Sequence, residues 1–276
     1  MNYKIVADSS CDLLTLENVA FAAAPLKIST SVKEYVDDAN LNVTEMVTDL
    51  FTYKGKSSTA CPGVGDFTDA FGDADRIFCI TISGNLSGSY NAATLAKQDY
   101  EEAHPDRKVF VIDSLSAGPE LKLLIEKIAE LIQNGTEYDE ICTEIKKYQK
   151  KTHLLFMLES LKNLANNGRV NSAVAKVIGL LGIRMVGKAS DEGTLQPLDK
   201  CRGEQNAIKA MIKHLREMGY QGGKIRIAHC LNEAAALQFK AQVLQTYANA
   251  DIEIYRLRGL CSYYAEKGGM LLSFEA

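Results

Sequence analysis

Apolar positions recur along this chain in two rhythms, and the rhythm changes near the middle. In the first half, short apolar runs such as Lys4-Ile5-Val6-Ala7, Ile77-Phe78-Cys79-Ile80-Thr81-Ile82 and Val109-Phe110-Val111-Ile112 are each closed by small polar residues. Between them lie segments of helical period: Val43 to Thr52, about Ser87 to Asp99, Glu120 to Gln133 and Glu137 to Lys151, with Asn134-Gly135 separating the last two. Phe21 to Ile28 is apolar and reads as extended. Strands alternating with helices predict parallel βαβ units, and hence a Rossmann-like α/β domain over residues 1–150.

Beyond residue 150 hairpins and helices mix. Leu154-Leu155-Phe156-Met157-Leu158 is a continuous apolar run, and Asn166-Asn167-Gly168-Arg169 makes a turn. Ile183 to Lys188 and Thr194 to Leu198 flank the hairpin signal Ser190-Asp191-Glu192-Gly193. Helices are predicted from Glu204 to Met218 and from Glu233 to Thr246. Strands are predicted at Ile225 to His229, Ile252 to Leu257 and Met270 to Phe274. This pattern predicts a second α/β domain, residues 151–276, with a mixed, largely antiparallel sheet.

Composition narrows the function classes. Of 276 residues, 46% are hydrophobic and 24% charged, the profile of a soluble globular protein. A net charge of −4 gives no electrostatic reason to expect nucleic acid, and Lys146-Lys147 with Lys150-Lys151 reads as a solvated helix face. Neither a signal-peptide pattern nor an apolar run of the roughly 20 residues needed to span a bilayer is present, so a cytoplasmic location is expected. The seven cysteines are scattered without a Cys-x-x-Cys pair, so reduced thiols are expected, with no disulfide framework and no metal site.

Three polar turns follow strands in the first half: Asp8-Ser9-Ser10-Cys11-Asp12, Ser83-Gly84-Asn85-Leu86-Ser87-Gly88-Ser89, and Asp113-Ser114-Leu115-Ser116-Ala117-Gly118. In a parallel sheet all three lie at the carboxyl edge, where open α/β sheets bind ligands. The Ser87 turn opens a helix, whose free N–H groups favour an anion, and Ser87 adds a hydroxyl donor. Each turn taken singly is more often a helix cap. A fourth polar segment, Ser57 to Phe67, carries Gly63-Val64-Gly65. With no strand ahead of it and no third glycine it is not a dinucleotide fingerprint, and Asp66 is expected to cap the next helix. Arg169 follows a glycine at a turn, where an exposed guanidinium is suited to a phosphate or carboxylate.

Catalysis finds less support. Gly84-Asn85-Leu86-Ser87-Gly88 lacks the Gly-x-Ser-x-Gly spacing of a nucleophile elbow. Of four histidines only His229, at a strand end, is placed for a site, and Cys61 has no evident base partner. A Ser87-dependent hydrolase or acyl transferase acting on a lipid ester stays open as the alternative reading.

Taken in order, these segments resemble the DegV family of bacterial lipid-binding proteins over the whole chain. Asp8-Ser9-Ser10-Cys11-Asp12 matches the family's opening Asp-Ser-x-x-Asp, and Thr59 to Phe67 looks like its Thr-Ser-Gln-Pro-Ser-x-x-x-Phe with Thr59 and Pro62 kept. Ile82 to Tyr90 is close to its Ile-Ser-x-x-Leu-Ser-Gly-Thr-Tyr, the most specific match. Val111-Ile112-Asp113-Ser114 and Asn167-Gly168-Arg169-Val170 match two more. The resemblance implies two α/β domains holding one long-chain fatty acid, its carboxylate in the cleft between them and its tail in an apolar tunnel. It implies no catalytic residue, no metal and no cofactor besides the bound acid. Partners implied are the acid and a separate ATP-binding fatty acid kinase subunit that makes the acyl phosphate, with transient membrane-surface contact for lipid exchange.

Carried over by position, Thr59 and Ser87, with Gly88 beside them, should bind the carboxylate. Arg169 should face the head group and the kinase, and Asp8, Ser9, Asp113 and Ser114 should support the turns. The family's C-terminal His-Thr-Gly-Pro-Gly is replaced here by Tyr264-Ala265-Glu266-Lys267-Gly268. That puts Tyr264 at the histidine position and Glu266 near the expected head group.

Overall fold

Residues 2–171 and 182–276 are described by a computed structural model. Four parallel strands, β1 (Tyr3–Asp8), β2 (Ala20–Ala24), β6 (Arg76–Thr81) and β7 (Lys108–Asp113), form a sheet in the order β2-β1-β6-β7. Its inner strands read as unbroken apolar runs because both faces are covered. Phe78 and Ile80 pack with α4 (Pro119–Gln133) and α5 (Tyr138–Gln149), while Ile77 and Cys79 face α2 (Val64–Phe71) and α3 (Ser89–Ala103).

The six-stranded second sheet runs β10 (Leu195–Arg202), β9 (Ile183–Ala189), β8 (Thr152–Leu158), β13 (Met270–Glu275), β11 (Lys224–His229), β12 (Asp251–Arg256). Every neighbouring pair is antiparallel except β11 and β12. One face packs on α7 (Glu204–Glu217) and α8 (Glu233–Leu244) through Ile208, Met211 and Phe239. The chain is therefore an α/β protein built on two large sheets, one parallel and one mixed, as the two rhythms predict.

Three local expectations differ. The Phe21 to Ile28 run is broken at Pro25, which cannot donate to a sheet ladder. Ala20–Ala24 stays in the parallel sheet, and β3 (Lys27–Ser29) pairs antiparallel with β4 (Glu34–Val36) and β5 (Ser58–Ala60) in a third, small sheet. A strand does precede Gly63-Val64-Gly65: it is β5, too short to show a period. Asp66 lies inside the helix it caps and takes the Gly63 N–H at 2.7 Å. The helix after Ser87 begins at Ser89, which leaves Ser87 in the turn.

The seam between the halves is held by buried carboxylates. The short helix α9 (Gly259–Ala265) has no cap of its own; Asp37, just past β4, takes the Gly259 and Leu260 N–H groups at 2.9 and 2.8 Å. Asp12 takes the Arg258 N–H at 2.7 Å. Its other oxygen, Oδ2, is buried, and the Cys261 thiol lies against the Asp12 carboxyl. Burial pushes Asp12 up to about 8, with the nearby Asp37 charge adding to the rise, and burial raises Asp37 as well.

A carboxyl whose folded pKa lies above its unfolded value stabilises the fold while protonated. That contribution is full below the unfolded value near 4 and is lost as pH rises through the folded one. Stability should therefore fall from pH 5 to pH 9, by up to about 1.4 kcal/mol per pH unit for each proton released. Urea unfolding at several pH values checks this, and Asp12→Asn should flatten the slope. An equally steep slope in the variant would remove Asp12 as its source.

Candidate functional site

Asp8 and Asp113 fix the carboxyl edge of the parallel sheet. Asp8 is fully buried; its Oδ2 takes the Ile82 N–H at 2.9 Å and its Oδ1 the Ser10 N–H at 3.1 Å. Burial, partly offset by these donors, puts it at about 6. Asp113 takes the Gly84 N–H at 3.1 Å and the Leu115 N–H at 2.9 Å. Ser83 N–H donates to Ser116 O and Gly118 N–H to Ser10 O, so the three polar turns meet. They meet where the strand order reverses, between β1 and β6, which is the crevice an open sheet offers to a ligand.

Over this edge lies the second half of the molecule. The β9–β10 turn reaches down, and Asn85 Nδ2 donates to Glu192 O at 2.6 Å. Gly193, with φ of +75°, sits so close that a Cβ there would lie 2.3 Å from Ser83 Oγ. Strand β8 supplies one wall: Leu154, Phe156 and Leu158 face inward, whereas Leu155 and Met157 belong to the core under α7. Leu26, Ile82, Leu164, Leu195, Leu260 and Leu271 complete a cavity with mostly apolar walls.

The cavity also carries polar groups. Thr59, from β5, and Tyr264, from α9, share a hydrogen bond of 2.7 Å. Ser87 stands in the turn ahead of α3, its hydroxyl 3.1 Å from that of Ser89. Arg169 follows α6 (Lys162–Asn166); its Nε donates to Leu86 O at 3.1 Å and a terminal nitrogen donates to Asn167 O. Asn167 in turn donates to Tyr263 OH at 2.9 Å, and Tyr263 bonds Ser57 at 2.8 Å. Arg169 is thus part-buried and tethered, not freely exposed as its turn position suggests. Burial raises the Tyr264 phenol, partly offset by Thr59, so it remains a neutral donor at ordinary pH.

Thr59, Ser87, Arg169 and Tyr264 all line this one cavity. Gly88 does not line it; a Cβ there would lie 3.0 Å from Cys61 Sγ. Asp8, Asp113, Ser9 and Ser114 stand one layer back, Ser9 accepting from Leu26 N–H at 3.0 Å and Ser114 donating to Ser116 O at 3.1 Å. Glu266 points away: it accepts from Ser160 Oγ and Asn163 N–H at 2.9 and 3.0 Å, while Lys267 lies over the Phe51 ring. The negative charge expected at the head group is therefore not there.

No histidine or carboxylate lines the cavity among the described residues, and His229 accepts from Asn232 N–H on another surface. Among the described residues the one side-chain partner recorded for the Ser87 hydroxyl is that of Ser89. Sequence reasoning missed the walls: Leu26 follows an unread break at Pro25, and the contribution of β8 was hidden in an apolar run with no visible alternation. Among the described residues no helix is long and apolar enough to cross a membrane.

The comparisons agree with this architecture. A family profile described as an uncharacterised protein, DegV family, matches residues 2–275. A DegV domain-containing protein from Streptococcus pneumoniae is 45% identical, covering 100% of this chain and 99% of that protein. The solved structure of the S. pneumoniae fatty acid kinase (Fak) B3 protein, loaded with linoleic acid, superposes with a TM-score of 0.98 at 45% identity, covering 100% and 99% of the two chains. That of a DegV family protein from Eubacterium eligens, loaded with heptadecanoic acid, gives 0.97 at 44% identity, covering 99% of each. The chain belongs to the DegV family.

Proposed function

We infer that this protein binds one long-chain fatty acid, with its carboxylate at Thr59, Ser87 and Tyr264 and its tail along the apolar cavity. The observation that carries the reading is the division of one cavity into a wall of leucines, phenylalanine and alanines and a set of hydroxyls with one guanidinium. A buried carboxylate needs several donors to offset desolvation, and these residues supply them. Each buried methylene of the tail adds about 0.8 kcal/mol, so the tail provides most of the affinity and the head group sets the orientation. The fatty acids bound by the two relatives point the same way. The protein is a carrier and not itself an enzyme, like the Fak B3 protein it resembles, since none of the binding groups needs to react.

The finer assignments belong to the same reading. The ligand sits between two units, residues 1–150 and 151–276. Gly88 acts by leaving room at the start of α3 and not by touching the acid. A separate ATP-binding kinase subunit is the partner that phosphorylates the carboxylate, and Arg169, tethered at the cavity, steadies the acyl phosphate. The protein works in the cytoplasm, and brief contact with a membrane surface serves lipid exchange.

Three measurements test this. Protein purified without added lipid, then extracted, should yield about one fatty acid per chain, and Thr59→Ala with Ser87→Ala should lower the affinity for a delipidated protein by ten- to a hundredfold, about 0.5–1.5 kcal/mol for each hydrogen bond lost, with unfolding unchanged. Unaltered affinity would sink the head-group assignment. Tyr264→Phe should weaken binding by about three- to tenfold, equally from pH 6 to pH 9, since the phenol does not titrate there; calorimetry at both ends decides. Arg169→Ala should cut acyl phosphate formation by an added kinase subunit more than it cuts acid binding. Equal losses would make Arg169 a carboxylate ligand only.

A further inference from the structure

The wall that β8 contributes to the ligand cavity borders a second pocket, and two side chains line both spaces. Phe156 and Leu195 face the ligand cavity on one side. On the other they share a side pocket completed, among the described residues, by Leu161, Val170, Asn171, Met185 and Pro197. The sheet register relates the two spaces. Leu271, Phe156, Gly187 and Pro197 form one row across β13, β8, β9 and β10. Leu271 lines the ligand cavity and Pro197 the side pocket, so this row runs from one space into the other.

Gly187 is the gap in the row, and the Phe156 ring fills it. A Cβ on Gly187 would lie 2.3 Å from Phe156 Cζ and 2.6 Å from its Cε2, with Gln196 O also at 2.6 Å. Gly187 is not among the residues with positive φ, so its backbone does not require glycine. A glycine inside a strand weakens it and marks a close approach; here the tip of an aromatic ring makes that approach. Laid over β9, the ring stands between Leu271 and Pro197. Leu195, paired with Ala189 one row further along the same face, extends the partition.

Apart from Asn171 the described side chains of the side pocket are apolar, so what it suits is hydrocarbon. Its boundary with the ligand cavity is made of two side chains, which makes the acyl chain itself the occupant within reach. Each methylene a chain buries raises affinity about fourfold, so a side chain that closes off such space decides how much chain is accepted.

We propose that Phe156, seated on Gly187, is a specificity-determining residue: its ring closes the ligand cavity against the side pocket and so discriminates against the longer acyl chains. This rests on the fatty-acid reading above and deepens it.

The test titrates the delipidated full chain and its variants with cis-9-octadecenoic acid and with cis-13-docosenoic acid, which is four methylenes longer. In Phe156→Ala the docosenoic-to-octadecenoic affinity ratio should rise more than about tenfold over the wild type, two further buried methylenes being enough. Leu195→Ala opens the same boundary from β10 and should shift the ratio in the same direction, which carries the test if Phe156→Ala fails to fold. Leu154→Ala makes room in the ligand cavity without touching the side pocket, and should raise the ratio much less. Met185 lines the side pocket alone, so adding Met185→Phe to either opening variant should bring the ratio back toward the wild-type value. Octadecenoic acid bound by each variant shows that it is folded. A ratio unchanged in both opening variants, matched by Leu154→Ala, or unaffected by Met185→Phe would overturn the proposal while leaving fatty-acid binding intact. Failure of both acids to bind the wild type would instead remove the reading beneath it.

Discussion

Two carboxylates from the first half of the chain hold the backbone of a seven-residue helix near its end, and the ligand cavity exists because they do. Without a local cap, α9 would leave its first N–H groups unpaired in a buried seam, which costs free energy comparable to lost hydrogen bonds. Asp37 and Asp12 satisfy them from across the seam. The fit leaves no spare room, since a Cβ on Gly259 would lie 2.6 Å from the Asp37 carboxyl. Fixing the start of α9 fixes the rest of it, including the Tyr264 hydroxyl against Thr59 and the Tyr263 hydroxyl against Ser57. Both of those partners lie in or beside β5, which pairs with β3, which pairs with β4, immediately before Asp37. The small third sheet and α9 therefore brace each other, and of the polar residues they share Thr59 and Tyr264 line the cavity.

From this brace follows the separation of tasks inside the cavity. The parallel sheet offers the ends of its strands, whose turns are tied by Asp8 and Asp113 and so cannot drift toward the ligand or away from it. The mixed sheet offers a flat apolar face through alternate residues of β8. Neither sheet alone encloses anything. Polar groups gather where turns meet α9, and apolar groups where β8 passes overhead, because strand ends carry free backbone groups while strand faces carry side chains.

Much of this was legible in the chain. Apolar runs and their closing turns located the strands of both sheets, and the switch from alternating helices to a hairpin around Gly193 separated the parallel from the mixed part. Thr59, Ser87, Arg169 and Tyr264 were found through motif order, and all four line the cavity. The unread parts have physical reasons. Strands of three residues, Lys27–Ser29, Glu34–Val36 and Ser58–Ala60, are too short for a period, so the sheet that aims Thr59 was invisible. Asp37 sits in a polar loop and looks solvated; only the fold shows that it caps a helix more than 220 residues away. Arg169 looked exposed because a turn in isolation has no second half above it. Glu266 looked threatening to an anion because linear distance from Tyr264 says nothing about direction, and its backbone, with φ of +54°, turns it outward.

Tyrosine at position 264, where a histidine is expected, then reads as a consequence of its surroundings. The hydroxyl of Thr59 is 2.7 Å away, and the phenol is buried enough to be held neutral. A phenol there presents one donor whose state does not change with ordinary pH, whereas an imidazole would exchange protons near neutrality. The polar end is thus a set of neutral donors beside a single guanidinium that is already committed to backbone oxygens. In the proposed binding role, such a set orients a carboxylate without neutralising it tightly. In that role affinity lies with the tail and orientation with the head, and the proposed kinase partner finds the carboxylate available for its chemistry.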